Sequence, residues 1–259
     1  MLSAIAGPVI APLSAWMAKQ KLTNWAGNFS YSTNRLHEAA SVDQIQSFVR
    51  SRNKVKVLGT RHCFNSIADS RYNLLSLKPM HDVVALDPLA RTVTVDAGIT
   101  YGQLCPYLDS KGFALHNLAS LPHISIAGAC STATHGSGEK NGNLATAVSG
   151  FEIVTAAGDV VKITRTADGE LFRGAVVGLG ALGAITRITL DIEPTYAVRQ
   201  YVYEDLPFAQ MKDHFDEIQS SGYSVSLFTD WQKERINEVW IKSRVGDGQA
   251  FAACPEFFG

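Results

Sequence analysis

The sequence predicts an α+β fold built as two successive units, and three observations carry that prediction. Helix-like and strand-like segments follow one another in mixed, irregular order as far as Gly112. The clearest strand, residues 184–193, carries β-branched Ile185, Thr186, Ile188, Thr189 and Ile192 and stops at Pro194. Beyond that proline the pattern restarts and is again rich in β-forming residues.

With 259 residues, 46% hydrophobic and 18% charged, and a mean hydropathy of +0.02, the chain has the make-up of a globular protein of one or two domains. Twenty-three basic against 24 acidic residues, with no long run of either sign, leave no electrostatic footprint for a phosphate backbone, so nucleic acid is not an expected partner. Cys63, Cys105, Cys130 and Cys254 show no C-x-x-C spacing, which fits a reducing, cytoplasmic setting and suggests neither a disulfide scaffold nor a zinc site. Residues 1–16 are apolar but broken by Pro8 and Pro12. They fall short of the roughly 18 uninterrupted apolar residues of a spanning helix, so no membrane association is expected. No basic head precedes them as in a signal peptide, the first cation being Lys19, and a start at Met17 is the simpler reading. Residues 1–22 are read as an N-terminal extension.

Ser41-Val-Asp-Gln44 has the form of a capping box, and Ile45, Phe48 and Val49 follow at helical spacing, predicting a helix over 42–52. Residues 54–58 then alternate as a strand and end at Gly59. Strands over 82–87 and 92–95 flank a turn at Pro88, and Thr100-Tyr-Gly-Gln103 opens a second boxed helix that ends at Gly112. Residues 150–155 and 160–164 read as a hairpin about Ala157-Gly158-Asp159. In the second unit a strand over 198–203, a helix near 208–220 and β-rich stretches at 223–229 and 238–241 are expected. So few residues follow Pro194 that an independent core is hard to assemble. The unit is expected to be cut short at Gly259, with Phe251, Phe257 and Phe258 exposed for want of a closing element.

Glycine placement suggests a ligand. Each glycine inside a regular element costs roughly 0.5–1 kcal/mol relative to alanine, so a cluster calls for compensation. Gly178-Leu-Gly180-Ala-Leu-Gly183 matches G-x-G-x-x-G, but strand-forming residues follow it where a dinucleotide fingerprint requires a helix, which argues against a Rossmann site. Ser131-Thr-Ala-Thr-His-Gly-Ser-Gly138 crowds hydroxyls and glycines beside Ser120-Leu-Pro-His-Ile-Ser-Ile-Ala-Gly128. These residue types suit a phosphate-bearing ligand and a simply packed loop alike. Glu139-Lys140 after Gly138 excludes a P-loop. Gly59-Thr-Arg-His62-Cys-Phe-Asn65 follows a strand directly and places His62 on a turn. His37, His81, His116, His123 and His214 are read as structural, and with no acidic partner at ligand spacing to His62 or His135 no metal site is expected.

Asn24-Trp-Ala-Gly-Asn28, the Gly59–His62 turn, the Ser120–Gly128 run, Thr134-His-Gly-Ser-Gly138 and Leu179-Gly-Ala-Leu-Gly-Ala-Ile185 occur in that order. Together, over about residues 23–244, they resemble the FAD-linked oxidases of the vanillyl-alcohol oxidase superfamily in its sugar-acting branch. Tyr223-Ser-Val-Ser-Leu-Phe-Thr-Asp-Trp231 is similar to the alditol (xylitol) oxidases within it, beside the aldonolactone oxidases. The resemblance implies a two-part, non-Rossmann, PCMH-type FAD-binding domain over 23–193, followed by the beginning of an antiparallel-sheet substrate domain over 194–259. It implies FAD bonded covalently through its 8α-methyl carbon to His62, with Gly59, Thr60, Arg61, Cys63, Phe64 and Asn65 wrapping the diphosphate and ring. Ser120 would stand beside the reactive edge; Ser125, Gly128, Thr132, Ala133, Thr134 and His135 would contact the cofactor, and the backbone of Ile185 its adenine side. Two positions depart from the pattern. Arg61 stands where many relatives have glycine, so its side chain must point away from the flavin, and Cys63 stands where serine is common.

The implied reaction oxidises the terminal hydroxyl of a linear polyol such as xylitol or sorbitol to the aldose, with oxygen reduced to hydrogen peroxide. Polyol and oxygen are the expected partners of a monomer, and the catalytic groups are expected beyond Gly259. An aldonolactone oxidase or dehydrogenase, or a flavin-binding fragment without turnover, is the alternative.

Overall fold

The computed structural model describes residues 21–246 and 251–258; the readings of residues 1–16 and of the start at Met17 fall outside them. The first elements are β1 (Leu36–Glu38), α1 (Val42–Arg50), β2 (Val55–Val57) and β3 (Asn73–Ser76), and the three strands make a parallel sheet in the order β1-β3-β2. Ser41 caps α1: its Oγ accepts from the Gln44 N–H at 3.3 Å while Gln44 Oε1 accepts from the Ala40 N–H at 2.8 Å. The helix ends at Arg50, before the expected 52, because Ser51 turns back and its hydroxyl donates to the Phe48 carbonyl.

The chain continues through β4 (Val83–Asp87), β5 (Thr92–Asp96), α2 (Tyr101–Ser110), β6 (Phe113–Ala114), α3 (Ile126–Ser131), β7 (Val148–Val154), β8 (Val160–Thr164), α4 (Arg165–Ala175), β9 (Ala184–Asp191) and β10 (Glu193–Pro194). A five-stranded antiparallel sheet in the order β4-β5-β9-β7-β8 is the centre of this unit. Its strands alternate inward and outward residues, and Val93, Val95, Phe151, Ile153, Ile188 and Leu190 pack against Leu104 and Leu108 of α2, Ala129 of α3 and Phe172 of α4. Asp87 makes the β4–β5 turn by accepting from the Leu89 and Ala90 N–H groups. A second cluster, Ile45, Leu75, Leu77, Ala127, Val154 and Ala184, joins α1 and the parallel sheet to α3, the end of β7 and the start of β9. The G-x-G-x-x-G turn leads straight into β9, so its context is that of a strand connection and not of a dinucleotide fold.

After Pro194 come β11 (Val198–Pro207), α5 (Phe208–Asp213), α6 (Phe215–Ser220), β12 (Ser224–Phe228) and β13 (Arg235–Arg244), with the antiparallel order β11-β13-β12. Three expectations are corrected here. β11 and β13 extend past residues 203 and 241 because the two strands pair on either side of Asp205, which the register skips at φ +69°, and that ladder overrides the weak β propensity of Glu204. The expected helix over 208–220 is broken at His214, whose backbone leaves the helical region. The three terminal phenylalanines are not exposed: Phe257 is buried, Phe251 and Phe258 are half-buried, and all pack with Leu206, Val239 and Ile241. Phe257 stacks on Tyr203 at 4.9 Å, so the apolar sheet face and the aromatic segment cover each other. Among the described residues no helix is long and apolar enough to cross a membrane.

Candidate functional site

Asn24 is buried, and its side chain is fully used: Nδ2 donates to Asn28 Oδ1 at 2.7 Å and to the Cys63 carbonyl at 3.2 Å, while Oδ1 accepts from the Phe29 N–H at 3.1 Å. The Trp25 N–H donates to the Arg61 carbonyl at 2.8 Å. The carbonyls of the 59–65 loop therefore engage the Asn24–Asn28 turn. The N–H groups of residues 60–64 donate to nothing among the described residues, a row of donors of the kind that receives an anion. Arg61 has φ +63°, the left-handed conformation that glycine adopts most easily. Its guanidinium is tied back to the Thr23 carbonyl at 3.1 Å. Asn65 closes the loop by accepting from the Ile67 N–H at 3.0 Å.

Ser125 joins this loop to the next one. Its N–H donates to Thr60 Oγ1 at 3.2 Å, and its Oγ sits where a Cβ on Gly59 would be 2.8 Å away and one on Gly128 2.7 Å away. Only bare Cα atoms on both sides allow so close an approach. Past α3, Thr132 Oγ1 donates to the Gly128 carbonyl at 3.0 Å and lies 3.2 Å from Thr134 Oγ1; Ala133 between them has φ +51°. The glycine-rich turn before β9 reaches the same helix, its Leu179 N–H donating to the Ser131 carbonyl, and Lys56 Nζ on β2 donates to the Leu179 carbonyl at 2.9 Å. Three stretches remote in sequence thus meet around α3. Ile185, half-buried, stands at the start of β9 between the two cores. His135 is exposed with Nδ1 3.1 Å from the Gly136 carbonyl, and Ser120 is exposed on the turn between β6 and α3.

His62 is not alone. Its Nε2 lies 2.8 Å from Nε2 of His123, and Trp25 stacks on both imidazoles, with centroid distances of 4.7 and 5.5 Å. Desolvation, then the neighbouring imidazole, holds His62 below the ordinary histidine value. Burial pushes the Cys63 thiol up. His123, read from the sequence as structural, has its turn brought against His62 by the Thr60–Ser125 tie. Its place in the same run as Ser120 and Ser125 was the available signal. Asn117 was also missed. It is buried, its Oδ1 accepts from the Leu118 N–H at 2.9 Å, and its Nδ2 has no partner among the described residues and lies beside Gly136.

The second sheet touches this region. Ser137 hydrogen-bonds with Ser224 and, at 3.0 Å, with Ser226 on β12, and Asn141 Nδ2 donates to the Ser137 and Tyr223 carbonyls. Free backbone donors, two neighbouring threonine hydroxyls, bare glycine backbone and an unpartnered buried amide make a set that fits FAD, whose diphosphate and ring edge supply acceptors.

A family model described as FAD binding domain matches residues 34–164. The alditol oxidase of a Streptomyces species is 43% identical over 227 residues, 86% of this chain and 54% of that protein. A putative D-arabinono-1,4-lactone oxidase of Neurospora crassa is 36% identical over 67% of this chain and 32% of its own length. The L-gulonolactone oxidase of Bos taurus is 30% identical over 77% of this chain and 46% of its own length. The chain spans about half the length, or less, of these curated relatives.

Proposed function

The chain belongs to the FAD binding domain family, and from that premise we propose that it holds FAD across the 59–65 and 125–135 loops, bonded to His62, for the oxidation of a terminal hydroxyl of a linear polyol. Xylitol and sorbitol are the substrates we infer, with the aldose and hydrogen peroxide as products. The similarity to an alditol oxidase supports this choice. Residues 23–193 would form the cofactor part and 194–259 the beginning of the substrate part.

The observation that carries the reading is the convergence of Gly59, Thr60, Ser125 and Gly128, where one hydroxyl fills the space two absent side chains leave and the N–H groups of residues 60–64 have no acceptor among the described residues. Those N–H groups, with Thr132 and Thr134, would hold the diphosphate; Ser120 would stand by the reactive edge and the Ile185 backbone by the adenine. When bound, FAD supplies the hydride acceptor, while the protein orients it and excludes competing chemistry.

The test is direct. After acid denaturation the protein band should fluoresce yellow on a gel, and His62→Ala should abolish that band. A covalent band persisting in the variant overturns the attachment. A second reading, oxidation of an aldonolactone, is favoured by the two lactone-oxidase relatives. Anaerobic mixing separates the two: bleaching of the flavin absorbance by xylitol and not by a sugar lactone supports the polyol reading, and the reverse replaces it.

A further inference from the structure

We propose that His123 is the proton acceptor that readies His62 for bond formation to FAD, a positioning role that rests on the reading of His62 as the attachment residue. A neutral imidazole carries one N–H and one lone pair. Two Nε2 atoms 2.8 Å apart therefore share one proton, with one ring donating and the other accepting. The pairing is built into the backbone. The Ser125 N–H donates to Thr60 Oγ1, and His62 and His123 are each two residues from that tie, on the two strands of chain it joins. Trp25 fixes both ring planes, at interplanar angles of 24° and 28°, and is itself anchored through its N–H on the Arg61 carbonyl.

The geometry assigns the chemistry to each nitrogen. With Nε2 of His62 donating to His123, the His62 lone pair is left on Nδ1, which has no hydrogen-bond partner among the described residues. In the bond-forming step Nδ1 gains a bond to the 8α carbon, which loses one C–H bond. The His62 Nε2 proton passes to His123, which is exposed and releases it to water. The electron pair of the broken C–H bond would pass into the ring system of the bound FAD, and the methyl proton to water. Dioxygen then takes up those two electrons with two protons and leaves as hydrogen peroxide, so one methyl hydrogen and one imidazole hydrogen account for its two hydrogens. Burial keeps His62 neutral near pH 7, as this attack requires.

The experiment follows covalent incorporation when FAD is added to flavin-free protein from riboflavin-starved cells, read as gel fluorescence against time, with non-covalent binding read by quenching of free FAD. His123→Ala and His123→Gln should each incorporate flavin about 10²-fold more slowly, the usual size of a lost proton-transfer partner, while still binding FAD. Added imidazole should restore at least a tenfold gain to His123→Ala. Wild-type incorporation in either variant, recovery in the glutamine variant alone, or no rescue by imidazole in a variant that binds FAD overturns the role of His123. His62→Ala run alongside keeps the two ideas apart: covalent flavin in that variant would remove the underlying attachment reading, whatever His123 does.

Discussion

Arg244 on β13 grips Glu193 on β10 through two hydrogen bonds, Nη2 to Oε1 at 2.7 Å and Nη1 to Oε2 at 3.0 Å. The guanidinium lies over the rings of Tyr196 and Tyr223, at 3.8 and 4.5 Å from their centroids, and Nη2 also donates to the His116 carbonyl. The second sheet is thus bound to the segment that leads through Asn117 to Ser120. Replacing Arg244 by methionine keeps the apolar stem but leaves Glu193, about one third exposed, without its partner. A loss of about 2 kcal/mol is expected, below the roughly 3–5 of a fully buried pair. Arg244→Lys should recover little, since an ammonium can neither fork onto the carboxylate nor lie flat between two rings. Urea unfolding midpoints check both.

Gly59→Ala and Gly128→Ala should each weaken FAD binding and cost about 1–2 kcal/mol, because the new methyl meets Ser125 Oγ at 2.8 or 2.7 Å. Combining Gly128→Ala with Ser125→Ala should return part of the loss, since that hydroxyl is the atom the added carbon would crowd, at 2.7 Å. A double-mutant cycle on thermal unfolding and on FAD titration reads the coupling. Strict additivity would mean that the crowding around Ser125 is not what these glycines relieve.

His62 and His116 are both held below the ordinary imidazole value, first by desolvation. In each case the unfolded chain takes up a proton more readily than the folded one. Stability should therefore hold above pH of about 6.5 and fall as the pH drops from there through the lowered folded values. Unfolding free energies at pH 7 and pH 5 test the sign, and His116→Gln should shallow the slope. A protein more stable at pH 5 than at pH 7 contradicts it.

Thiol labelling should separate the cysteines. Cys254 is exposed, whereas Cys130 is buried and its thiol is pushed up to about 12. Peptide mapping after brief iodoacetamide treatment should find Cys254 modified and Cys130 intact until the protein unfolds. Cys63, half-buried in the 59–65 loop, should react slowly and more slowly still once FAD is added.

Local chemistry determined much of this fold from the sequence alone. The capping boxes at Ser41 and Thr100, the Ala157-Gly158-Asp159 turn and the β-branched alternation of β9 each act over two to four residues, so their spacing is written in the chain. The same locality rejects a Rossmann turn, because the residues after Gly183 can be read as a strand. His62, Ser125 and Gly128 were joined as one expected site only through the family resemblance that the ordered motifs carry.

Tertiary structure alone decided the rest. The strands β1 and β3 are too short to show alternation, and exist because they pair with each other and with β2. His62 and His123 are 61 residues apart, Thr60 and Ser125 are 65 apart, and Arg244 and Glu193 are 51 apart. No periodicity links such positions; each contact arises when packing of the elements between them brings two loops or two sheets together. Phe257 makes the same point, since a residue at the end of an apolar run is exposed or buried according to whether another surface, here the face carrying Tyr203 and Val239, needs covering.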